Sequence, residues 1–171
     1  NRDISDTIEY LKIFLEITSK INLIESYDVS HHSGSYAVGG CVVYSSDGKL
    51  KDKYRLFNIS KKNSGNDIES MNEVIRRRFE NKSIALEKPD LILIDGGKIH
   101  LNSVRNTLKQ LDVKGIELLS ISKGARRKAS MDSIHKIDGS VLKIIQGSIP
   151  HLFLQEVRDE THRFAISNQK K

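Results

Sequence analysis

Two aspartates lie where they could share a divalent cation. Asp95 follows four unbroken aliphatic residues, 91–94, which are typical of a strand buried on both faces. Two glycines come next and allow a sharp turn, so Asp95 is expected at the sheet edge where ligands bind. Asp28 lies in a second β-rich run, residues 24–30. If these strands are neighbours, the carboxylates repel each other unless a hard cation lies between them. Taken alone, Asp95 also fits a turn or an N-cap position.

The last predicted helix carries a histidine that could belong to the same site as the two aspartates. It is predicted to begin near Ser148 and to run through Phe164, with an inward stripe of Leu154, Val157, Thr161 and Ala165. A polar stripe flanks it at three- and four-residue spacing and consists of Gln155, Arg158, Asp159 and His162. His162 is therefore expected on the shoulder of the helix. The spacing leaves open whether it serves a site or is a surface or helix-capping histidine.

Hydrophobic periodicity and turn residues predict the elements that must position these groups. An amphipathic helix is expected over residues 3–20 and an antiparallel meander over strands at about 23–30, 36–45 and 50–59. A helix over 67–79, a strand over 90–95, a helix around 101–111 and a strand over 116–122 follow, and then a hairpin over 134–145 that turns at Asp138-Gly139.

These elements predict an α/β fold with a mixed five-stranded sheet flanked by helices, plus a small extra hairpin. The strands reached through helices should run parallel to strand one by the right-handed crossover rule. Three antiparallel strands, followed by helix, strand, helix, strand and a closing helix, give the order 3-2-1-4-5. Strand one then lies beside strand four. The strand order alone therefore predicts that Asp28 and Asp95 meet at the centre of the sheet.

Length and composition indicate one domain. The chain of 171 residues suits a single core; residues 1–21 are interpreted as an N-terminal linker helix and 22–171 as the domain, in a fragment of a longer protein. The single cysteine, Cys41, excludes an internal disulfide and a cysteine-rich metal site, so a reducing cytoplasm is expected. No apolar stretch approaches the ~20 residues that a membrane-spanning helix needs.

The charge distribution favours a polyanionic partner. The formal net charge is +6, and basic residues cluster at 76–78, at 123–128 and at the pair Arg158 and Arg163. Any single cluster is more often a solvated face. Three clusters in a chain that also offers paired carboxylates indicate a phosphate backbone as the partner.

Several segments together resemble a known family, in order, from about residue 22 to the end. They are Tyr27-Asp28-Val29-Ser30-His31, Pro89-Asp90-Leu91-Ile92-Leu93-Ile94-Asp95-Gly96-Gly97-Lys98, Ser122-Lys123-Gly124, Arg127-Lys128-Ala129 and Arg158-Asp159-Glu160-Thr161-His162-Arg163-Phe164-Ala165. They resemble the C-terminal nuclease domain of the UvrC excinuclease family of bacterial nucleotide excision repair. The resemblance implies a ribonuclease H-like fold and a Mg²⁺- or Mn²⁺-dependent endonuclease. It also implies an incision on the 5′ side of a lesion in damaged double-stranded DNA, with excinuclease subunits A and B as partners.

The resemblance also implies roles for individual residues. Asp28 and Asp95 match the family's catalytic aspartates, which would hold the metal, and His162 matches its catalytic histidine. Asp67 matches a further acidic position, although it also lies where a helix N-cap belongs and Asn66 stands where the family usually has an acid. Other departures are Ala125, Ser130 and the run 146–150. The predicted DNA contacts are Lys98, Lys123, Arg126, Arg127, Lys128, Arg158 and Arg163.

Two other functions fit parts of the sequence. An inactive ribonuclease H-like module that only binds nucleic acid would be expected to lack one of Asp28, Asp95 and His162, and all three are present. A nucleotide-binding α/β protein would use the Gly-Gly-Lys turn at 96–98 to cradle a phosphate, but the chain has no Walker or dinucleotide fingerprint. The role of His162 stays open between orienting a water, deprotonating it and ligating Mn²⁺.

Overall fold

A computed structural model describes residues 4–32, 36–81, 87–122 and 133–167. Helices in this part of the chain are α1 (Ile4–Leu15), α2 (Asp67–Glu80), α3 (Lys98–Gln110) and α4 (Ile149–Ser167), with one 3₁₀ turn at Lys51–Lys53. Its strands are β1 (Leu23–His32), β2 (Tyr36–Ser45), β3 (Gly48–Lys49), β4 (Arg55–Asn58), β5 (Leu91–Asp95), β6 (Glu117–Ser122), β7 (Ser133–Lys136) and β8 (Val141–Lys143).

The strands form one mixed sheet in the order β3-β2-β1-β5-β6-β7-β8, with β4 also paired to β2. β1 pairs with β2 antiparallel and with β5 parallel, and β5 pairs with β6 parallel. This confirms the predicted class and the predicted neighbours of strand one. The physical reason is the one expected, since α2 and α3 each carry the chain across the sheet before the next parallel strand.

The predicted third strand, 50–59, is wrong as a continuous element. The chain leaves β2 after β3, makes the 3₁₀ turn and returns to β2 only as β4. The interruption lets Tyr54 turn towards α4, where its hydroxyl donates to Glu160 at 2.8 Å and its ring packs edge-on against Phe164, with 5.0 Å between centroids. A tertiary contact therefore overrides the local strand pattern.

The second hairpin turns at the predicted residues, but it is not separate from the main sheet. Gly139 lies in the turn with φ +90°, in the left-handed region that favours glycine. β7 pairs antiparallel with β6, with Ile121 opposite Ile134, so the hairpin extends the main sheet. The five-stranded prediction therefore underestimated the width of the sheet.

Two hydrophobic layers cover the sheet. α1 and α4 pack on one face, where Ile8, Leu11 and Leu15 of α1 are buried in the same core as Val157 of α4. α2 and α3 cover the other face around Tyr27, and the cysteine at 41 is buried there as predicted.

α1 ends earlier than the predicted residue 20, and the division at residues 1–21 stays a prediction. No helix among the described residues is long and apolar enough to cross a membrane.

Candidate active site

Asp28 and Asp95 lie on the same rung of two neighbouring strands. The parallel register places Tyr27 opposite Ile94, so the next position of each strand carries one of the aspartates. Side chains at the same rung of paired strands lie on the same face, with the strands about 4.8 Å apart. Both aspartates line one cavity between the sheet and α4. The predicted meeting of the two carboxylates is confirmed.

The predicted apolar stripe fixes α4 over this cavity. Leu154, Val157, Thr161 and Ala165 are all buried, as expected from their spacing. Gly40 of β2 lies directly beneath, and a Cβ atom there would come within 3.1 Å of the Ala165 Cβ, so the glycine permits the close approach. The Thr161 hydroxyl lies 2.8 Å from the Ser26 hydroxyl on β1, which fixes the helix along the strand.

His162 lies beside Asp28. Its Nδ1 atom is 2.9 Å from the Asp28 Oδ2 atom, while the Val29 amide donates to Asp28 Oδ1 at 2.9 Å. The imidazole is 63% exposed and the aspartate side chain only 16%, so a ring accessible to solvent contacts a largely enclosed carboxylate. The predicted shoulder position of His162 thus brings it to the site.

Arg158 approaches the other carboxylate from the same helix. Its guanidinium lies 3.8 Å from Asp95 Oδ1, and the residue lines the cavity with both aspartates. The arginine side chain is 17% exposed and Asp95 44%, so Arg158 lies deeper than its partner. This ion pair is longer than a good charge-assisted hydrogen bond.

The position of Asp67 in the sequence suggested that it is the N-cap of α2, but it is not. Asn66 caps the helix, and its side chain accepts from the Glu69 amide at 3.1 Å. Asp67 is the first helical residue and pairs with His31 of β1, outside the cavity of Asp28 and Asp95. Strand alternation places Asp28 and His31, three residues apart, on opposite faces of β1. A catalytic role for Asp67 stays a prediction.

The predicted DNA contacts fall into four groups, and the first is Arg158, which lines the cavity beside Asp95. Lys98 is exposed at the start of α3, three residues after Asp95. Arg163 is held by Glu160, with contacts of 2.7 and 3.0 Å, on the flank of α4 that faces Tyr54. Lys123, Arg126, Arg127 and Lys128 lie outside the described residues.

Sequence reasoning missed a buried ionic network on the other face of the sheet. Arg78 of α2 donates to Glu25 of β1 from Nε at 3.1 Å and from a terminal nitrogen at 2.7 Å, and Tyr27 also donates to Glu25. Arg78 therefore does not belong to a solvated or DNA-facing cluster at 76–78. Its spacing from Met71 and Ile75 places it on the apolar stripe of α2, and that was the available signal.

The donor set at the cavity fits a hard divalent cation. Asp28 and Asp95 offer carboxylate oxygens, which Mg²⁺ and Mn²⁺ prefer, and imidazole also suits Mn²⁺. No group of three or more His, Cys, Asp or Glu side chains forms a metal cage within the described ranges. The two carboxylates would therefore hold the ion while water and phosphate complete its shell, which is the usual mode for Mg²⁺.

Comparison with known proteins defines the class of this site. Residues 12–166 match the family model described as the UvrC RNase H endonuclease domain, so the fold is that of a ribonuclease H-type endonuclease domain. UvrABC system protein C of Pseudomonas fluorescens is 38% identical over 164 residues, which cover 95% of this chain. The same-named protein of Ectopseudomonas mendocina is 36% identical over 169 residues, or 98% of the chain. The chain belongs to the UvrC RNase H endonuclease domain family.

The chain spans only 27% and 28% of the length of these two relatives. Among solved structures, it is similar to endonuclease V of Bacillus subtilis, at 15% identity and a TM-score of 0.48, with 99% of this chain and 95% of that chain covered. It is also similar to Ciona intestinalis endonuclease V in complex with an inosine-containing DNA, at 15% identity and a TM-score of 0.46, covering 86% of this chain and 79% of that one.

Proposed function

We propose that this chain is a Mg²⁺- or Mn²⁺-dependent endodeoxyribonuclease domain that hydrolyses a DNA phosphodiester at the cavity of Asp28, Asp95 and His162. The observation that carries the proposal is the placement of Asp28 and Asp95 at the same level of two neighbouring strands, with His162 in contact with Asp28. The proposal is supported by membership of a family of endonuclease domains. A divalent ion bound at the two carboxylates would neutralise charge at the phosphate and acidify the attacking water.

His162 is proposed to accept the proton of that water. Its Nδ1 atom lies at hydrogen-bond distance from Asp28, and a proton on Nδ1 donated to the carboxylate leaves the Nε2 lone pair free to accept another. Asp28 thereby orients the ring and stabilises its charged form after proton transfer. The 63% exposure of the imidazole is compatible with direct access of water and of a DNA strand.

DNA is proposed to approach along the edge where β5 ends and α3 begins. Lys98 is exposed there, and the basic run with Lys123, Arg126, Arg127 and Lys128 follows β6, the next strand of the sheet. Such contacts bind the phosphate backbone and position the strand without reading its sequence. The net charge of +6 favours the same partner.

Within the longer protein, we assign the domain the incision on the 5′ side of a lesion in damaged double-stranded DNA, in nucleotide excision repair in the cytoplasm. The relatives' name, UvrABC system protein C, supports excinuclease subunits A and B as partners. Because the chain covers about a quarter of such relatives, lesion recognition and loading are expected to come from other parts of the system.

The test is incision of a lesion-containing duplex by the longer protein with subunits A and B, and nicking of plasmid by this chain, each in Mn²⁺ and in Mg²⁺. Asp28→Asn and Asp95→Asn should abolish the 5′ incision while thermal melting stays close to wild type, since each change relieves carboxylate repulsion. Asp159→Asn, at an exposed position of α4, is the matched control and should cut normally. Wild-type incision by Asp95→Asn would remove that residue from the site. DNA binding without incision in either metal would favour the binding-only module.

A further inference from the structure

One flank of α4 presents a nitrogen group to each carboxylate of the cavity. His162 contacts Asp28, and Arg158, four residues earlier, contacts Asp95. Residues four apart on a helix lie on the same side, so both contacts are made by one surface. The pair of acidic groups that would attract a cation is therefore already faced by a guanidinium that is charged at every physiological pH.

The contact of Arg158 with Asp95 is loose compared with another arginine pair on the same helix. One terminal nitrogen of Arg158 lies 3.8 Å from Asp95 Oδ1, whereas Arg163 and Glu160 share two contacts at 2.7 and 3.0 Å. A long, partly exposed ion pair stabilises a protein little and separates readily. This contact is therefore expected to contribute little to stability.

We propose that Arg158 is the internal counter-ion of the cavity and competes with a divalent cation for Asp95. The guanidinium neutralises the carboxylate when no cation is bound, and a cation must displace it to gain both carboxylates. Arg158 is then a positioning residue that sets the metal affinity of the site. This inference rests on the proposed function, because it takes Asp28 and Asp95 as the metal ligands.

The experiment is a titration of the purified chain with Mn²⁺ alone, without DNA, followed by the electron paramagnetic resonance signal of free Mn²⁺. Arg158→Gln should tighten the Mn²⁺ Kd by about 5- to 10-fold, within the range of ordinary coupling between two ligands of one site. Arg158→Lys keeps the charge and should stay near wild type. Arg163→Gln removes the same charge from the same helix outside the cavity, and its Kd should lie within about twofold of wild type.

A double-mutant cycle makes the competition specific. Asp95→Asn should weaken Mn²⁺ binding and should also erase the effect of Arg158→Gln, because the contested carboxylate is gone. Circular dichroism of each variant checks that the fold is retained. Equal tightening by Arg158→Gln and Arg163→Gln would reveal a general charge effect and overturn the inference.

The outcomes separate this inference from the proposed function. Mn²⁺ binding that Asp95→Asn weakens but Arg158→Gln leaves unchanged overturns the counter-ion role alone. Binding that neither Asp28→Asn nor Asp95→Asn weakens overturns the metal site and the counter-ion role together. An absence of binding to wild type and to Arg158→Gln overturns both as well.

Discussion

The two faces of the central strand β1 carry two ionic sites of opposite character. On the face covered by α2, Arg78 and Glu25 are 1% and 2% exposed and share contacts down to 2.7 Å. Burial works against the charged form of Arg78, but the hydrogen bonds and charge of Glu25 outweigh it, so the pKa of Arg78 is raised. Arg78 also donates to the Glu87 carbonyl at 3.0 Å, which ties α2 to the segment before β5.

On the face covered by α4, the charged groups are more open to solvent. Asp95 is 44% exposed and its arginine partner is 3.8 Å away, while His162 is largely open to solvent. A closed network can do little except hold elements together, since its charged groups are buried away from solvent and ligands. An open network can exchange a partner for a cation, a water or a phosphate. The contrast separates a structural site from the proposed active site on the two faces of a single strand.

The largest expected effect on stability comes from breaking the closed network. Arg78→Met leaves the Glu25 carboxylate buried without its cation, which typically costs ~3–5 kcal/mol of unfolding free energy. Urea denaturation measures this loss. Glu25→Gln added to Arg78→Met should recover part of it, because the uncompensated charge is removed. A loss below about 1 kcal/mol in the single variant would contradict the structural role.

In the site of Asp28, Asp95 and His162, a substitution should reduce activity strongly and stability little. His162→Ala should lower the incision rate by ~10²- to 10⁴-fold, the usual contribution of a positioned acid–base group. Its unfolding free energy should change by no more than about 0.5 kcal/mol, as for other exposed substitutions. Incision kinetics at saturating metal, beside urea denaturation, test both halves. An unchanged rate would return His162 to the class of surface histidines.

An intermediate effect is expected at Glu160, which is buried on the opposite flank of α4. Hydrogen bonds from Arg163 lower the pKa of Glu160 to about 2, although burial opposes the shift. A depressed carboxyl pKa stabilises the fold fully above the unfolded value and loses this contribution as the pH falls towards 2. We expect a loss of about 2 kcal/mol between pH 5 and pH 2, after allowance for screening at the exposed arginine. Glu160→Gln should flatten this part of the pH–stability profile measured by thermal melting.

The smallest effect is expected from the basic run that the sequence predicts to contact DNA. Neutralising Arg126, Arg127 and Lys128 should weaken DNA binding evenly across sequences and lower the slope of log affinity against log salt by about one unit per lost contact. Fluorescence anisotropy at several salt concentrations measures the slope. Arg163→Gln, whose arginine is already held by Glu160, should change it less. An unchanged slope in the triple variant would make that run a solvated face.

Much of the site's framework was predictable because it depends on local pattern and chain topology. The aliphatic run 91–94 predicts a buried strand that ends at a glycine pair, and the succession of elements predicts that β5 lies beside β1 and parallel to it. These two facts alone bring Asp95 to Asp28. The helical stripe likewise predicted which residues of α4 face inward, and thereby the shoulder position of His162.

Other features depended on contacts that no local pattern specifies. Asn66 rather than Asp67 caps α2, because either residue suits the position and the backbone at the helix entry decides between them. The third strand breaks where Tyr54 finds Glu160, more than a hundred residues away in sequence, and the second hairpin joins the sheet because β6 offers it a free edge.

The sequence by itself therefore determined the elements, their order and the meeting of two aspartates, since periodicity and handedness act on the chain locally. Only the tertiary structure decided which charge each carboxylate faces. Arg158 and Arg163 are alike in sequence and five residues apart, yet one lies over Asp95 and the other is held by Glu160. A helix turns by about 100° per residue, so five residues carry the two side chains to different flanks. The partners found there depend on which strand lies beneath each flank.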